Sequence, residues 1–272
     1  KFMKFKIFDC ITFFEENLQL QLRFNILNDL VDHFVICESK YGHDGIKKKI
    51  NFNKKNYPKF KDKITHIVVE KFPNQIDRWG REEYQRNYLI NGIENAHNED
   101  LIIFSDSDEI PSPKAILDIN FLKKYFIFVQ THYYYKFNVI NVEERFWEGS
   151  RACKKRDLKS FSWLRTRVRK KNLKYPFWRL DKITSIKILE NGGWHFAYFL
   201  TPEQIINKIK SAPHIEFANG KNLDISEIEY RIKNLKDPLG RNRKLEKLQL
   251  HHENELPKYI LQNKKLFKNW FL

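Results

Sequence analysis

Three acids fall within four residues at Asp106, Asp108 and Glu109, in the stretch LIIFSDSDEIP that spans residues 101–111. If the chain stays extended there, Asp106 and Asp108 point to one side, about 6–7 Å apart at the rise of a strand. At an effective dielectric near 20, two such charges repel by roughly 2–3 kcal/mol. A divalent cation beside them removes that repulsion, and carboxylates with open positions suit Mg²⁺ or Mn²⁺ bound jointly with substrate phosphates. The other reading is a loop in which Asp106 caps a helix begun near Pro111 and Ser112, with Asp108 and Glu109 solvated. Placement directly after an apolar run favours the cation site.

The elements that must hold these acids alternate between two periods. FKIFDCITFF reads as a strand, and EENLQLQLRFNILNDL as a helix with Leu18, Leu22, Ile26, Leu27 and Leu30 as its apolar positions. DHFVICES and KITHIVVEKF are further strands, REEYQRNYLINGIENAH a helix, and LIIFSDSDEIP a strand running into a loop. Strands alternating with helices predict an α/β chain with a mostly parallel central sheet covered by helices on both faces. Ligands of such sheets bind beyond the carboxyl ends of the strands, where Asp9, Glu38, Glu70 and the acidic cluster are expected. Farther on, YFIFVQTHYYYKFNV and SWLRTRVRKK read as strands, and KITSIKILENGGWHFAYF ends in a Gly-Gly turn. TPEQIINKIKSA carries a helix start, with Thr201 as N-cap, Pro202 in the first turn and Gln204 completing a capping box. Residues 221–250 read as an exposed helical stretch. ELPKYILQNKKLFKNWFL reads as a terminal amphipathic helix packed through Tyr259, Ile260, Leu266 and Phe267.

The 272 residues suit one large α/β domain, and a formal net charge of +16 favours anionic partners without choosing among them. Twelve Lys or Arg and a single acid, Asp157, lie within residues 151–180. Read as a strand, that stretch puts Arg165, Arg167 and Arg169 on one face. Such a strip suits an anionic acceptor or a membrane surface. Three cysteines without paired spacing, Cys10, Cys37 and Cys153, fit a reducing compartment, with the first two as core residues. No apolar run reaches the roughly 18 residues of a membrane span. The expectation is a cytoplasmic protein, peripheral at the inner face of a membrane.

In this order, DCITFFEENLQLQLRFNIL, DHFVICES, REEYQRN, FSDSDEIP and GGWHFAYFLTPEQIINKIKSA resemble glycosyltransferase family 17, over nearly the whole chain. D-x-D alone is weak; D-x-D-E-I-P followed by G-W-H and T-P-E is specific. The resemblance implies a single GT-A type catalytic domain, with residues 1–125 holding a nucleotide-sugar and residues 126–272 the acceptor. It implies inverting, Mn²⁺- or Mg²⁺-dependent transfer of a sugar, GlcNAc by family, from a UDP donor to a glycan or lipid-linked glycan. Asp106 and Asp108 become the metal-holding pair, with Glu109 beside them or on the donor sugar. His195 is a further metal ligand, a donor to diphosphate or acceptor, or a packing residue; Trp194 stacks on a sugar or fills the core. Arg81, Gln85 and Arg86 share a helix face, so Arg81, Arg86 and Asn87 are assigned to the nucleotide, or to an exposed ion-paired helix. Asp9 and Glu38 accept from uridine or ribose, or cap loops. For the general base, Glu216 comes first and Asp237 second. Two other classes compete. One is a nucleic-acid-binding protein or metal-dependent nuclease using the 151–180 strip with Trp163, Tyr175, Phe177 and Trp178 interleaved. The other is an inactive carbohydrate- or membrane-binding module. The first lacks a known nucleic-acid motif, and the intact D-x-D opposes the second, so no nucleic-acid partner is expected.

Overall fold

The computed structural model describes residues 5–176, 178–179, 181–248 and 255–272. Phe177 of the aromatic-basic strip and residues 249–250 of the expected helical stretch lie outside them. The alternation holds through β1 (Ile7–Phe13), α1 (Asn17–Leu27), β2 (His33–Ser39), β3 (Ile64–Val69), α2 (Arg78–Tyr88) and β4 (Leu101–Asp106). β1 lies between β2 and β4, β3 joins beyond β2, and all four run parallel. β1 is apolar on both sides because both of its faces are covered. Ile7, Ile11 and Phe13 join one core cluster with Leu20 and Phe24 of α1, whereas Phe8 and Cys10 join another on the opposite face. Asp9 shares the α1 face with Ile7 and Ile11, and that parity decides its fate below.

The second half departs from the expected sheet. It contains β5 (Glu109–Pro111), α3 (Pro113–Leu117), β6 (Tyr125–Tyr134), β7 (Val139–Asn141), β8 (Phe146–Lys154) and α4 (Phe161–Arg167). Then come β9 (Ile186–Ala197), α5 (Pro202–Ser211), α6 (Ile225–Lys233), β10 (Leu245–Lys247) and α7 (Lys258–Gln262). Among the described residues the sheet order is β10-β7-β6-β8-β4-β1-β2-β3, with β9 beside β6 and β5. β8 pairs antiparallel with β4 and β6, as β7 does with β6 and β10. The sheet is therefore mixed and not mostly parallel. Without a helical crossover between β6, β7 and β8, successive strands can only return antiparallel. Helices do cover both faces, as α1 and α7 contribute to one core cluster and α4 to the other.

Three local readings change. SWLRTRVRKK is not a strand: Ser160 accepts from the Trp163 N–H at 3.1 Å and starts α4, whose Phe161 and Leu164 are buried along with Val168. Those apolar residues recur at helical spacing, and the alternating arginines mask it. Gly192 and Gly193 do not end a strand, because β9 runs through them with a register shift opposite Phe128 and Gln130. Gly193 has φ +134°, and a Cβ there would lie 2.1 Å from the Ile110 carbonyl oxygen, so the close approach it permits is to β5, whereas Gly192 lies against Phe128 and Val129 of β6. The terminal helix is short; Ile260 and Phe267 are buried as expected, while Leu266 is exposed. In α1, Leu18 and Ile26 are only partly buried, and so is Leu30 beyond it, while Gln19 and Arg23 are fully enclosed. The capping box of α5 forms as read, with Gln204 N–H on Thr201 Oγ1 at 3.3 Å and Thr201 N–H on Gln204 Oε1 at 3.0 Å. All three cysteines are buried free thiols. No described helix is long and apolar enough to cross a membrane.

Candidate active site

The acidic cluster lies at the carboxyl end of β4, inside a cleft walled by the loop after β1, by α2 and by the end of α5. The chain does not stay extended: residues 107–108 form a turn between β4 and β5, which sends the two aspartates to different cations. Asp106 takes Arg165 at 2.7 Å and Arg86 at 3.4 Å. Asp108 takes Lys208 at 2.9 Å and faces His195 Nε2 at 3.6 Å. Burial would raise both carboxyls, but Arg165 and Arg86 hold Asp106 below the usual range, and Lys208 and His195 hold Asp108 well below it. Asp106 does not cap the next helix, whose N-cap is Ser112. Glu109, almost wholly buried, accepts from Trp147 Nε1 at 2.7 Å and from Arg165 at 2.7 Å. It braces the turn from the wall of the cleft.

The turn is fixed from beneath by a pair that the sequence does not announce. Arg23 of α1 meets both oxygens of Asp9, at 2.7 and 2.9 Å, and donates to the backbone carbonyls of Asp106, at 3.4 Å, and Glu109. Both side chains are fully buried. Asp9 is thus unavailable to uridine or ribose: β1 continues to Phe13, so Asp9 is a mid-strand residue. Glu38 is equally removed, because residues 48–52 fold over it. It accepts from Lys48 Nζ at 2.7 Å and from the N–H groups of Asn51 and Phe52 at 2.7 and 3.0 Å.

On α2, Arg86 lines the cleft and is held bidentately by Glu82 at 2.9 and 3.0 Å. Gln85 lines it too, tied to Cys37 O and His43. Arg81 instead donates to His43 O at 2.9 Å, and Asn87 accepts the Ser162 N–H at 2.9 Å, joining α2 to α4. Neither faces the cleft. His195 does, stacked on His132 at 4.4 Å and beside Trp147 at 5.2 Å. Burial pushes His132 down to about 2, so this partner is a neutral ring. Trp194, one residue earlier, points the other way: its Nε1 donates to Glu255 O at 2.7 Å and its ring packs on the core.

Both expected bases stand outside the cleft. Glu216 is 57% exposed and pairs with His214 at 2.7 Å. Asp237 is buried under Arg241 at 2.8 Å and accepts the Leu239 N–H, so it shapes a loop. Glu216→Gln is accordingly expected to leave turnover unchanged and stability within about 0.5 kcal/mol, as for other exposed sites. Parallel rate and melting measurements on the variant check this.

The basic strip is not one surface. Arg151 is buried against Val168 O and Gly149 O, and Arg165 reaches inward to the acids, although Lys170, Lys171 and Lys174 remain on the outside. Lys208, Glu16, Arg23, Trp147 and His132 are site residues that sequence reasoning missed. Lys208 lies within the TPEQIINKIKSA segment, where helical periodicity marks it only as polar.

The carboxylates beyond the parallel strands, clamped by arginine and lysine, thus line a charged cleft at the place where ligands of such sheets bind. Proteins named β-1,4-mannosyl-glycoprotein 4-β-N-acetylglucosaminyltransferase in Homo sapiens and Rattus norvegicus are each 26% identical to this chain over 231 residues. The alignment covers 73% of this chain and 41% of theirs, so the chain spans about two-fifths of the length of these relatives. The model of glycosyltransferase family 17 matches residues 1–271. With a match of that extent running through the D-x-D turn and the helix that supplies Lys208, the chain belongs to glycosyltransferase family 17.

Proposed function

We propose that this chain transfers GlcNAc from UDP-GlcNAc to a glycan, free, protein-borne or lipid-linked, with inversion at the anomeric carbon. The observation that carries the reading is the charge balance of the cleft. Five carboxylates line it (Glu16, Glu82, Asp106, Asp108 and Glu109) against the cations Lys48, Arg86 and Lys208, with Arg165 reaching in from behind. A lining with excess negative charge repels a diphosphate unless a divalent cation enters with it. Among the described residues no three His, Cys, Asp or Glu side chains converge as a closed metal site. Asp106 and Asp108 stand among the carboxylates of the cleft, and a pair of that kind suits a hard cation completed by substrate phosphates and water. Asp106 and Asp108 would hold Mn²⁺ or Mg²⁺, which when bound neutralises the diphosphate. The parallel β1–β4 half with the D-x-D at its carboxyl end supports a GT-A type arrangement, and the names of the relatives support GlcNAc.

The chain's own residues then have defined work. Phe13, Phe14 and Tyr41 give the cleft an apolar wall suited to a nucleoside, with Gln85 and His43 as hydrogen-bonding groups. Arg86, oriented by Glu82, offers its charge between α2 and the D-x-D. In the transfer the acceptor oxygen bonds to C1, the C1–O bond to the diphosphate breaks with its electron pair on the phosphate oxygen, and the acceptor proton leaves to a base. Holding both partners in line in the cleft lowers the barrier. Incubation of the purified protein with UDP-GlcNAc, Mn²⁺ and a panel of glycans and lipid-linked glycans tests the reading by mass spectrometry. GlcNAc added to one acceptor class, with UDP released, supports it. Absence of both UDP release and UDP binding across all divalent cations contradicts it.

A further inference from the structure

Lys208 reaches the acidic turn from α5, 100 residues beyond Asp108 in the chain. Its Nζ lies 2.9 Å from Asp108 Oδ2 and 2.9 Å from Glu16 Oε1, and the side chain keeps 28% of its surface open on the cleft. The two carboxylates differ in kind. Glu16 is 2% exposed, and its second oxygen accepts the Phe14 and Glu15 N–H groups at 3.1 Å each, so it is a fixed anchor. Asp108 is the acid that the donor's cation would draw on. An ammonium carries three N–H donors free to rotate, and these two contacts leave one for a third oxygen. The arginines of the site have less freedom. Arg165 divides its donors among Asp106, Glu109 and the Gly149 carbonyl, and Arg86 is chelated by Glu82.

We propose that Lys208 is a catalytic residue of this site: anchored on Glu16, it moves its hydrogen bond from Asp108 to the donor's β-phosphate oxygen and stabilises the leaving diphosphate. The inference rests on the transferase reading above. The electron pair of the broken C1–O bond stays on that oxygen, the N–H of Lys208 donates to it, and no proton needs to change owner. The motion is short because the ammonium already sits beside the acid that the cation occupies.

The test compares UDP with uridine, which differ by the diphosphate. In calorimetry with Mn²⁺, Lys208→Gln is expected to weaken UDP at least tenfold and leave uridine unchanged. Its turnover of UDP-GlcNAc is expected to fall by about 10²–10³, the usual effect of removing one charge-stabilising donor. Lys208→Gln that binds UDP and turns over like the native protein overturns the inference, as does equal weakening of UDP and uridine, which marks a structural prop. If that variant fails to fold, the native protein carries the test through amine-selective acylation of Lys208 read by peptide mass spectrometry. Protection by UDP but not by uridine is expected; equal or absent protection overturns the role. Native protein that binds no UDP under any divalent cation rejects the transferase reading itself, and the inference falls with it.

Discussion

Asp108→Asn is expected to remove the proposed GlcNAc transfer, by about a thousandfold or more, while the protein still folds. The substitution keeps the shape of the side chain and deletes the charge that both Lys208 and the proposed cation require. A single missing charge-stabilising group costs about 10²–10³ in rate, and here the loss also reaches a bound cation. The fold has little at stake in that carboxylate. Lys208 retains Glu16 as a partner, and the link from Asp108 to β9 is its backbone carbonyl, which accepts the Phe196 N–H at 2.8 Å. Melting within a few degrees of the native protein is therefore expected alongside the lost activity. Asp106→Asn is the parallel case, since Arg165 keeps Glu109 and Arg86 keeps Glu82 when that charge is lost. An Asp108→Asn protein with native turnover removes the D-x-D from the mechanism.

Arg23→Met is expected to have the largest effect on stability. It leaves Asp9 buried and unpaired, and breaking a buried ion pair on one side costs about 3–5 kcal/mol. For a chain of this size that corresponds to a fall in melting temperature on the order of 10 °C. Arg23 also loses its bonds to the Asp106 and Glu109 carbonyls, so transfer activity should fall with the melting temperature. The double variant Asp9→Val with Arg23→Met removes both charges and should be less damaged than the sum of the single variants. Differential scanning calorimetry of the four proteins measures the coupling, and strict additivity contradicts the role of this pair.

The contrast between these residues shows what the sequence carries. β1 to β4 are legible because parallel strands covered on both faces must be apolar throughout, and the α5 start is legible because a capping box is local. β8 is hidden, since its buried residues include Ser150, hydrogen-bonded to Ser105, and Arg151, which donates to the Val168 carbonyl, and these present no apolar pattern. α4 is hidden behind arginines at alternate positions. Within the site, the gathering of Asp106, Asp108 and Glu109 at the end of β4 could be read from their spacing and neighbours. The fates of Asp9 and Glu38 could not: one depends on the partner that α1 brings under β1, the other on backbone N–H groups of a later loop. Lys208 and Arg165 are ordinary basic residues until the fold brings them to acids 100 and 59 positions away.

The measurement that bears most directly on the central claim is a titration of UDP-GlcNAc into the native protein and into Asp108→Asn, each with and without Mn²⁺. Saturable binding that appears with Mn²⁺ in the native protein, and is lost in the variant, is the predicted result. Equal binding with and without a divalent cation, or binding unaffected by Asp108→Asn, would contradict the assignment of this cleft as a cation-dependent donor site.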